Sequence, residues 1–197
     1  LSRRRRSSGR TGSGAGRWLA AAAILVVAQA AILLAMGQPA ICTCGHVALW
    51  TGDVTGPENS QQVSDWYTPS HVIHGLIFYA LARLLVPGAP MTARLALAIL
   101  VEAAWELVEN SPPVIERYRQ QALAQGYAGD SVLNSVVDTV AMAAGFLLAR
   151  LLPTAASIGL ALALEVAVLW AIRDNLSLNV IQLLYPIEAV SRWQAGK

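Results

Sequence analysis

Charge is what this chain lacks most. Only 13% of its 197 residues are charged, 55% are hydrophobic, and the mean hydropathy is +0.50. A soluble domain of this length needs more polar surface, so the composition selects a polytopic membrane protein. Cysteine is nearly missing: Cys42 and Cys44, in "AICTCGH", are the whole supply. Two cysteines make no disulfide framework, and a bridge across one intervening residue is short and strained against ordinary disulfide geometry. The 37–68 segment carries acids but neither Lys nor Arg. There is no internal repeat, no phosphate-cradling Gly-rich loop, no nucleophile motif and no His-Glu-x-x-His protease motif. The missing repeats and broken helices also disfavour a transporter. The chain opens on Leu rather than Met, as an alternative-start or trimmed product would.

The charge that is present is unevenly placed. Residues 1–17 hold six of the fourteen basic residues, Arg3, Arg4, Arg5, Arg6, Arg10 and Arg17; the remainder carries eight basic and twelve acidic residues, a net of −4. A basic tail on an acidic apolar body argues against nucleic acid as the partner. Beside a span it reads as a topology signal and a contact for anionic lipid headgroups.

The apolar runs predict an all-α, polytopic membrane helix bundle of about five transmembrane helices. The spans are expected at about 18–36, 69–86, 91–110, 131–152 and 154–173. Proline punctuates them: "PGAP" turns the chain after the second, "NSPP" stops the third, and Pro153 ends the fourth. The first run is too long for a cleaved signal peptide and reads as a retained anchor. Residues 1–17 are a disordered basic tail, 18–173 the bundle with an outer loop at 37–68, and 174–197 an interfacial amphipathic segment anchored by Tyr185 and Trp193. Trp50, Trp66 and Tyr67 are expected as interface anchors of the loop. Arg83, Arg94 and Arg150 fall at inner turns under the positive-inside rule, which puts the N-terminus in the cytoplasm and the C-terminus outside.

Against this background the ionisable residues within the spans stand out. Glu102, Glu106 and Glu109 fall at i, i+4, i+7 on one face of the third span, His71 and His74 at i, i+3 at the start of the second. Asp130, Asn134 and Asp138 form a stripe at the start of the fourth, and Glu165 lies eight residues before Arg173. At about 1.5 Å rise per residue, Glu102, Asp138 and Glu165 share a depth of roughly 12 Å below the outer surface. A carboxylate there costs several kcal/mol, so it faces the bundle interior and finds partners. Imidazole and carboxylate on facing helices are the makings of a metal site in a bundle core, suited to zinc, iron or manganese. Glu102, Glu106, Asp138 and the two imidazoles are the expected ligands, with Asn134, Glu109, Asp130 and Glu165 around them or at the mouth. The same groups can serve as general acid and base. They can also do no more than bond helix to helix. Asp130 or Ser131 suits a helix N-cap. In the loop, Cys42, Cys44 and His46 are a second candidate set, for copper or zinc or as a redox pair, and the loop itself is a candidate lid.

Five phrases, "ICTCGHVALWTG", "ENSQQVSDWYTPSHVIHG", "EAAWELVENSP", "GYAGDSVLNSVVDTVAM" and "IRDNLSLNVIQLLYPIEAV", resemble a family of bacterial inner-membrane proteins carrying a domain of unknown function. The resemblance spans about residues 37–193 and implies a multi-pass protein of the bacterial inner (plasma) membrane; it implies no activity or cofactor. A looser likeness is to VanZ-like membrane proteins, which also carry acid-and-Asn stripes. Three functions are therefore weighed: a metal- or cation-binding membrane protein, a membrane-embedded hydrolase or transferase acting on a lipid or lipid-linked substrate, and a structural subunit whose polar cluster is packing glue. Lipids are the expected surroundings, and a membrane-protein partner or a second copy of the chain the expected protein partner.

Overall fold

The computed structural model describes residues 11–196, and among them every regular element is helical. The order is α1 (Thr11–Met36), α2 (Thr68–Leu85), α3 (Met91–Glu109), α4 (Pro112–Arg119), α5 (Val132–Leu151), α6 (Thr154–Ile172), α7 (Leu176–Leu184) and α8 (Glu188–Gln194). Arg3, Arg4, Arg5, Arg6 and Arg10 of the basic tail lie outside the described residues. The five long helices follow the expected spans to within a residue or two, except that α1 begins earlier, at Thr11.

Prolines and short polar side chains set the helix ends. Pro69 sits in the first turn of α2 and Pro112 and Pro113 in that of α4, where a missing N–H costs nothing. Pro90 and Pro153 precede α3 and α6. Ser131 caps α5, its hydroxyl oxygen accepting from the Asn134 N–H at 3.1 Å, and Asn175 caps α7 by accepting from Leu178 N–H at 2.9 Å. Between α3 and α5, where the sequence suggests only a connection, the Pro-Pro start instead launches the eight-residue helix α4, about two turns long.

Three helices are long and apolar enough to cross a membrane, those at Gly14–Met36, Val132–Leu151 and Thr154–Ile172. α2 and α3 match them in length, but their imidazoles and carboxylates lower their hydropathy. The outer faces suit a bilayer: on α6, Val166 is 64% and Trp170 88% exposed. Such apolar exposure around a helical bundle is what lipid covers.

α2 packs most extensively on α5, and α1 packs on α3 and α5. The α2–α5 approach depends on two glycines. A Cβ on Gly75 would run into the backbone of Met142 and Phe146, and one on Gly145 into the backbone of Val72, so the two helices touch backbone to backbone. From there to the turn between α2 and α3 the interior is apolar, with Ala22, Ala82, Ala96, Ala98, Ile99, Met142 and Phe146 in one buried cluster. The opposite end, where α2 and α5 begin and α1 and α3 finish, buries Gln29, His71, Glu102, Glu106, Asn134 and Asp138 instead. The 37–68 loop folds over that end and is tied to the start of α5: Ser131 N–H donates to Ser60 O at 2.9 Å, and Val132 N–H to Pro39 O at 2.9 Å.

Candidate functional site

Helical spacing puts His71 and His74 one turn apart on α2, facing Glu102 of α3. Glu102 is fully buried and accepts from both rings. Its Oε1 lies 2.6 Å from His71 Nδ1, and its Oε1 and Oε2 lie 3.2 and 3.1 Å from His74 Nδ1. The rings meet edge to face with centroids 5.2 Å apart, and His74 stacks on Phe78. One ligand atom from each of His71, His74 and Glu102 falls within 4.8 Å of the others, close enough to share a metal ion.

Two further carboxylates close on His71. Glu106 Oε1 is 3.5 Å from its Nδ1, and Asp138 Oδ2 is 3.7 Å from its Nε2. Glu106 Oε1 and Asp138 Oδ1 are buried with no hydrogen-bond donor. Buried acceptors are almost always satisfied, so these two oxygens are free to take a proton, a water or a ligand. The other Glu106 oxygen ends a directed chain. Thr139 Oγ1 donates to Gln29 Oε1 at 2.9 Å, Gln29 Nε2 to Ser135 Oγ at 2.8 Å, and Ser135 Oγ to Glu106 Oε2 at 2.6 Å. Here α1 is bonded to α5 and α5 to α3, so part of the polar content is indeed packing glue.

Glu109, Asn110 and Asp130 form the adjoining rim. Asn110 Nδ2 donates to Asp130 Oδ2 at 2.7 Å, and the Asp130 N–H donates back to Asn110 Oδ1. Tyr127 donates to Asp130 Oδ1 at 2.9 Å and Tyr118 to Glu109 Oε1 at 2.9 Å. Burial pushes the Asp130 carboxyl up to about 6, with the Asn110 and Tyr127 hydrogen bonds opposing the rise. Burial also raises the Asp65 carboxyl, held at the loop by N–H donors from Tyr67 and Ser60.

A cavity of about 280 Å³ joins these groups. Glu102, Glu109, Asp130 and Asp138 line it with His71 and His74; among the described residues no Lys or Arg does. Its other wall is apolar, with Phe78 on α2, Val101 and Trp105 on α3, and Leu176 and Val180 on α7. One side therefore offers ligands of negative charge and the other offers grease.

Not every expected member is present. Glu165 is absent from the cavity; its carboxylate turns to the first turn of α7, accepting from Leu176 N–H at 2.9 Å and Ser177 Oγ at 2.5 Å. A carboxylate at a helix N-terminus has a job of its own. Asn134 reaches the cavity edge, yet its amide is committed to Gln62 O at 2.9 Å, which pins the loop. In the loop, Cys42 and Cys44 are joined as a disulfide, closing the bridge the spacing disfavours, so neither sulfur is a thiolate ligand in this form. His46 Nε2 pairs with Glu58 at 3.3 Å, and none of these three loop residues lines the cavity. Trp50 and Trp66 pair edge to face, whereas Tyr67 turns inward to line the cavity and donates to Asp174 Oδ2 at 3.2 Å.

Sequence reasoning missed Gln29, Ser135, Thr139, Tyr118 and Tyr127. Gln29 was legible as the one polar residue in an apolar run. Ser135 and Thr139 follow Asn134 and Asp138 by one residue each, a second polar stripe on the same helix. The tyrosines carried no signal, because they come from the α4 region that the span pattern leaves blank.

Comparison with known proteins gives a consistent result. A family described as a protein of unknown function (DUF2585) matches residues 33–196. A UPF0314 protein of Sinorhizobium fredii is 53% identical over 179 residues, 91% of both chains. A UPF0314 protein of Sphingopyxis alaskensis is 55% identical over 91% of this chain and 95% of its own, and one of Paracoccus denitrificans 54% over 89% and 91%. No solved structure matches.

Proposed function

We propose that this chain, which belongs to the DUF2585 family, is a multi-pass bacterial inner-membrane protein that binds a divalent metal ion through His71, His74 and Glu102. The observation that carries the reading is the charge of the cavity: four carboxylates, two imidazoles and, among the described residues, no Lys or Arg, with two buried carboxylate oxygens in the cluster lacking any donor. In a low-dielectric bundle that excess of negative charge is relieved by protons or by a bound cation, and a cation satisfies several carboxylates at once. Two imidazoles and a carboxylate suit zinc, iron or manganese. Glu106 and Asp138 stand close enough to His71 to complete or tune the site, and Ser135 orients Glu106 as outer hydrogen bonds orient metal-binding carboxylates. All five long helices span the bilayer, the N-terminus is cytoplasmic, and the cavity opens toward the periplasm; the absence of basic residues from the 37–68 loop supports that orientation.

Metal analysis of detergent-purified protein tests the reading. Wild type should carry a stoichiometric first-row metal, and His74→Ala and Glu106→Ala should lose most of it. Absence of metal from wild type after loading with zinc, iron and manganese would sink the proposal.

A second reading has an observation of its own in the apolar wall of Phe78, Val101, Trp105 and Val180, beside the ligands. It is a metal-dependent hydrolase or transferase whose lipid or lipid-linked substrate lays its chain on that wall. Turnover of such substrates by reconstituted, metal-loaded protein, abolished by His74→Ala, would favour it over binding alone.

A further inference from the structure

The carboxylates of the rim divide from the imidazole cluster in a way that a single ion does not use. One ligand atom from each of Glu106, Glu109 and Asp130 lies within 4.8 Å of the others, in a group separate from His71, His74 and Glu102. Glu106 links the two groups, since its Oε1 is 3.5 Å from His71 Nδ1 and the residue stands one helical turn beyond Glu102. We infer that Glu106, Glu109 and Asp130 form a second cation site, all oxygen in its ligands, at the cavity wall that Glu109 and Asp130 line, so that the cluster is a two-ion centre. The inference rests on the reading of the imidazole cluster as a metal site.

Three observations support it beyond the grouping of acids. Glu106 is 1% exposed and its Oε1, the oxygen nearest His71, is buried with no donor, so an acceptor sits at the junction with nothing to accept from. Four of the other oxygens are held rather than quenched. Tyr118 donates to Glu109, Tyr127 and Asn110 donate one hydrogen bond to each Asp130 oxygen, and Ser135 donates to Glu106. Each bonded oxygen keeps a lone pair, and the donors are neutral, so they fix the carboxylates without cancelling their charge. Finally, no Lys or Arg among the described residues lines the cavity, and the nearest imidazole, His71, is already committed to Glu102 at 2.6 Å. Three carboxylates this close would otherwise repel one another.

The two sites differ in chemistry. Nitrogen and oxygen together favour zinc or iron; carboxylate oxygens alone favour a hard cation such as manganese or magnesium. A paired centre of this kind would clamp both oxygens of a phosphoester or similar linkage, which is a stronger requirement than binding one ion.

Sequential loading separates the sites. Protein stripped with chelator is loaded with zinc and washed, then titrated with manganese while bound Mn²⁺ is followed by electron paramagnetic resonance. Wild type should take one zinc and then one manganese per chain. Glu109→Gln and Asp130→Asn should each keep the zinc and weaken manganese binding by at least about 10–100-fold, the cost typical of losing even an outer hydrogen-bond partner of a ligand. His74→Ala should lose zinc and retain manganese. Wild type that saturates with zinc alone would overturn the second site and leave the first standing. Manganese binding that Glu109→Gln and Asp130→Asn do not weaken would overturn it as well. Manganese bound without zinc would instead count against the imidazole site only. Should either variant fail to fold, the wild-type stoichiometry still decides.

Discussion

The two ends of this bundle solve opposite problems. Toward the α2–α3 turn, Ala22, Ala96, Ala98, Ile99, Met142 and Phe146 fill the interior with small and apolar side chains, and Gly75 and Gly145 let α2 and α5 meet at the backbone. Packing of that kind is how helices associate in lipid, where no hydrophobic force separates inside from outside. At the other end the same helices bury carboxylates and imidazoles around a cavity, at a cost of several kcal/mol each for an unpartnered charge. A bundle built for stability alone would repeat the first arrangement at both ends. On the proposed metal-site reading, the apolar end holds the helices in place, and the polar end spends stability on binding as well as on the bonds that tie α1, α5 and α3.

Substitutions that exchange the character of the two ends should break this contrast, most severely at the apolar one. Gly75→Leu drives a side chain into the α5 backbone, and a destabilisation of about 3 kcal/mol or more is expected. The measurement is the yield of monodisperse protein in detergent, which should fall to near nothing, with Gly145→Leu behaving alike. Next is Glu102→Gln, which removes the charge both imidazoles face. It should fold with a melting temperature close to wild type and lose its zinc, as read by metal analysis. Ser135→Ala is smaller: it frees Glu106 Oε2 and should weaken metal binding by about tenfold, with little change in melting temperature.

The smallest effect concerns Asp174, whose carboxyl burial pushes up to about 6 from an ordinary 3.8, against hydrogen bonds from Asn175 and Tyr67. The folded chain holds that proton more tightly than the unfolded one, so the contribution is most favourable below about 3.8 and is lost as pH rises through about 6. Wild type should therefore lose melting temperature relative to Asp174→Asn between pH 5 and pH 7. Parallel curves for the two proteins would show that Asp174 is not the group responsible.

Much of this was legible in the residues. Proline at 69, 90, 112 and 153 marks helix ends to within a residue or two, because the ring removes an N–H and restricts its neighbour. The i, i+4 spacing of Glu102 and Glu106 placed both on one buried face. What spacing along one helix does not carry is which neighbour a side chain meets, and Glu165 shows the consequence: its carboxylate serves the first turn of α7. Nor does it reveal which acceptors find donors. The Asp130 carboxylate finds two donors while Asp138 Oδ1 finds none, and that difference depends on Tyr127 and Asn110 arriving from elsewhere in the chain. The closure of Cys42 on Cys44 likewise ran against the expectation from spacing.

The central claim is that a metal ion sits between α2 and α3. Anomalous diffraction from crystals of the zinc-loaded protein tests it most directly. The account predicts a peak about 2 Å from a nitrogen of His71, a nitrogen of His74 and an oxygen of Glu102. A peak found only in the loop, at His46 and Glu58, or no peak at all from fully loaded protein, would contradict it.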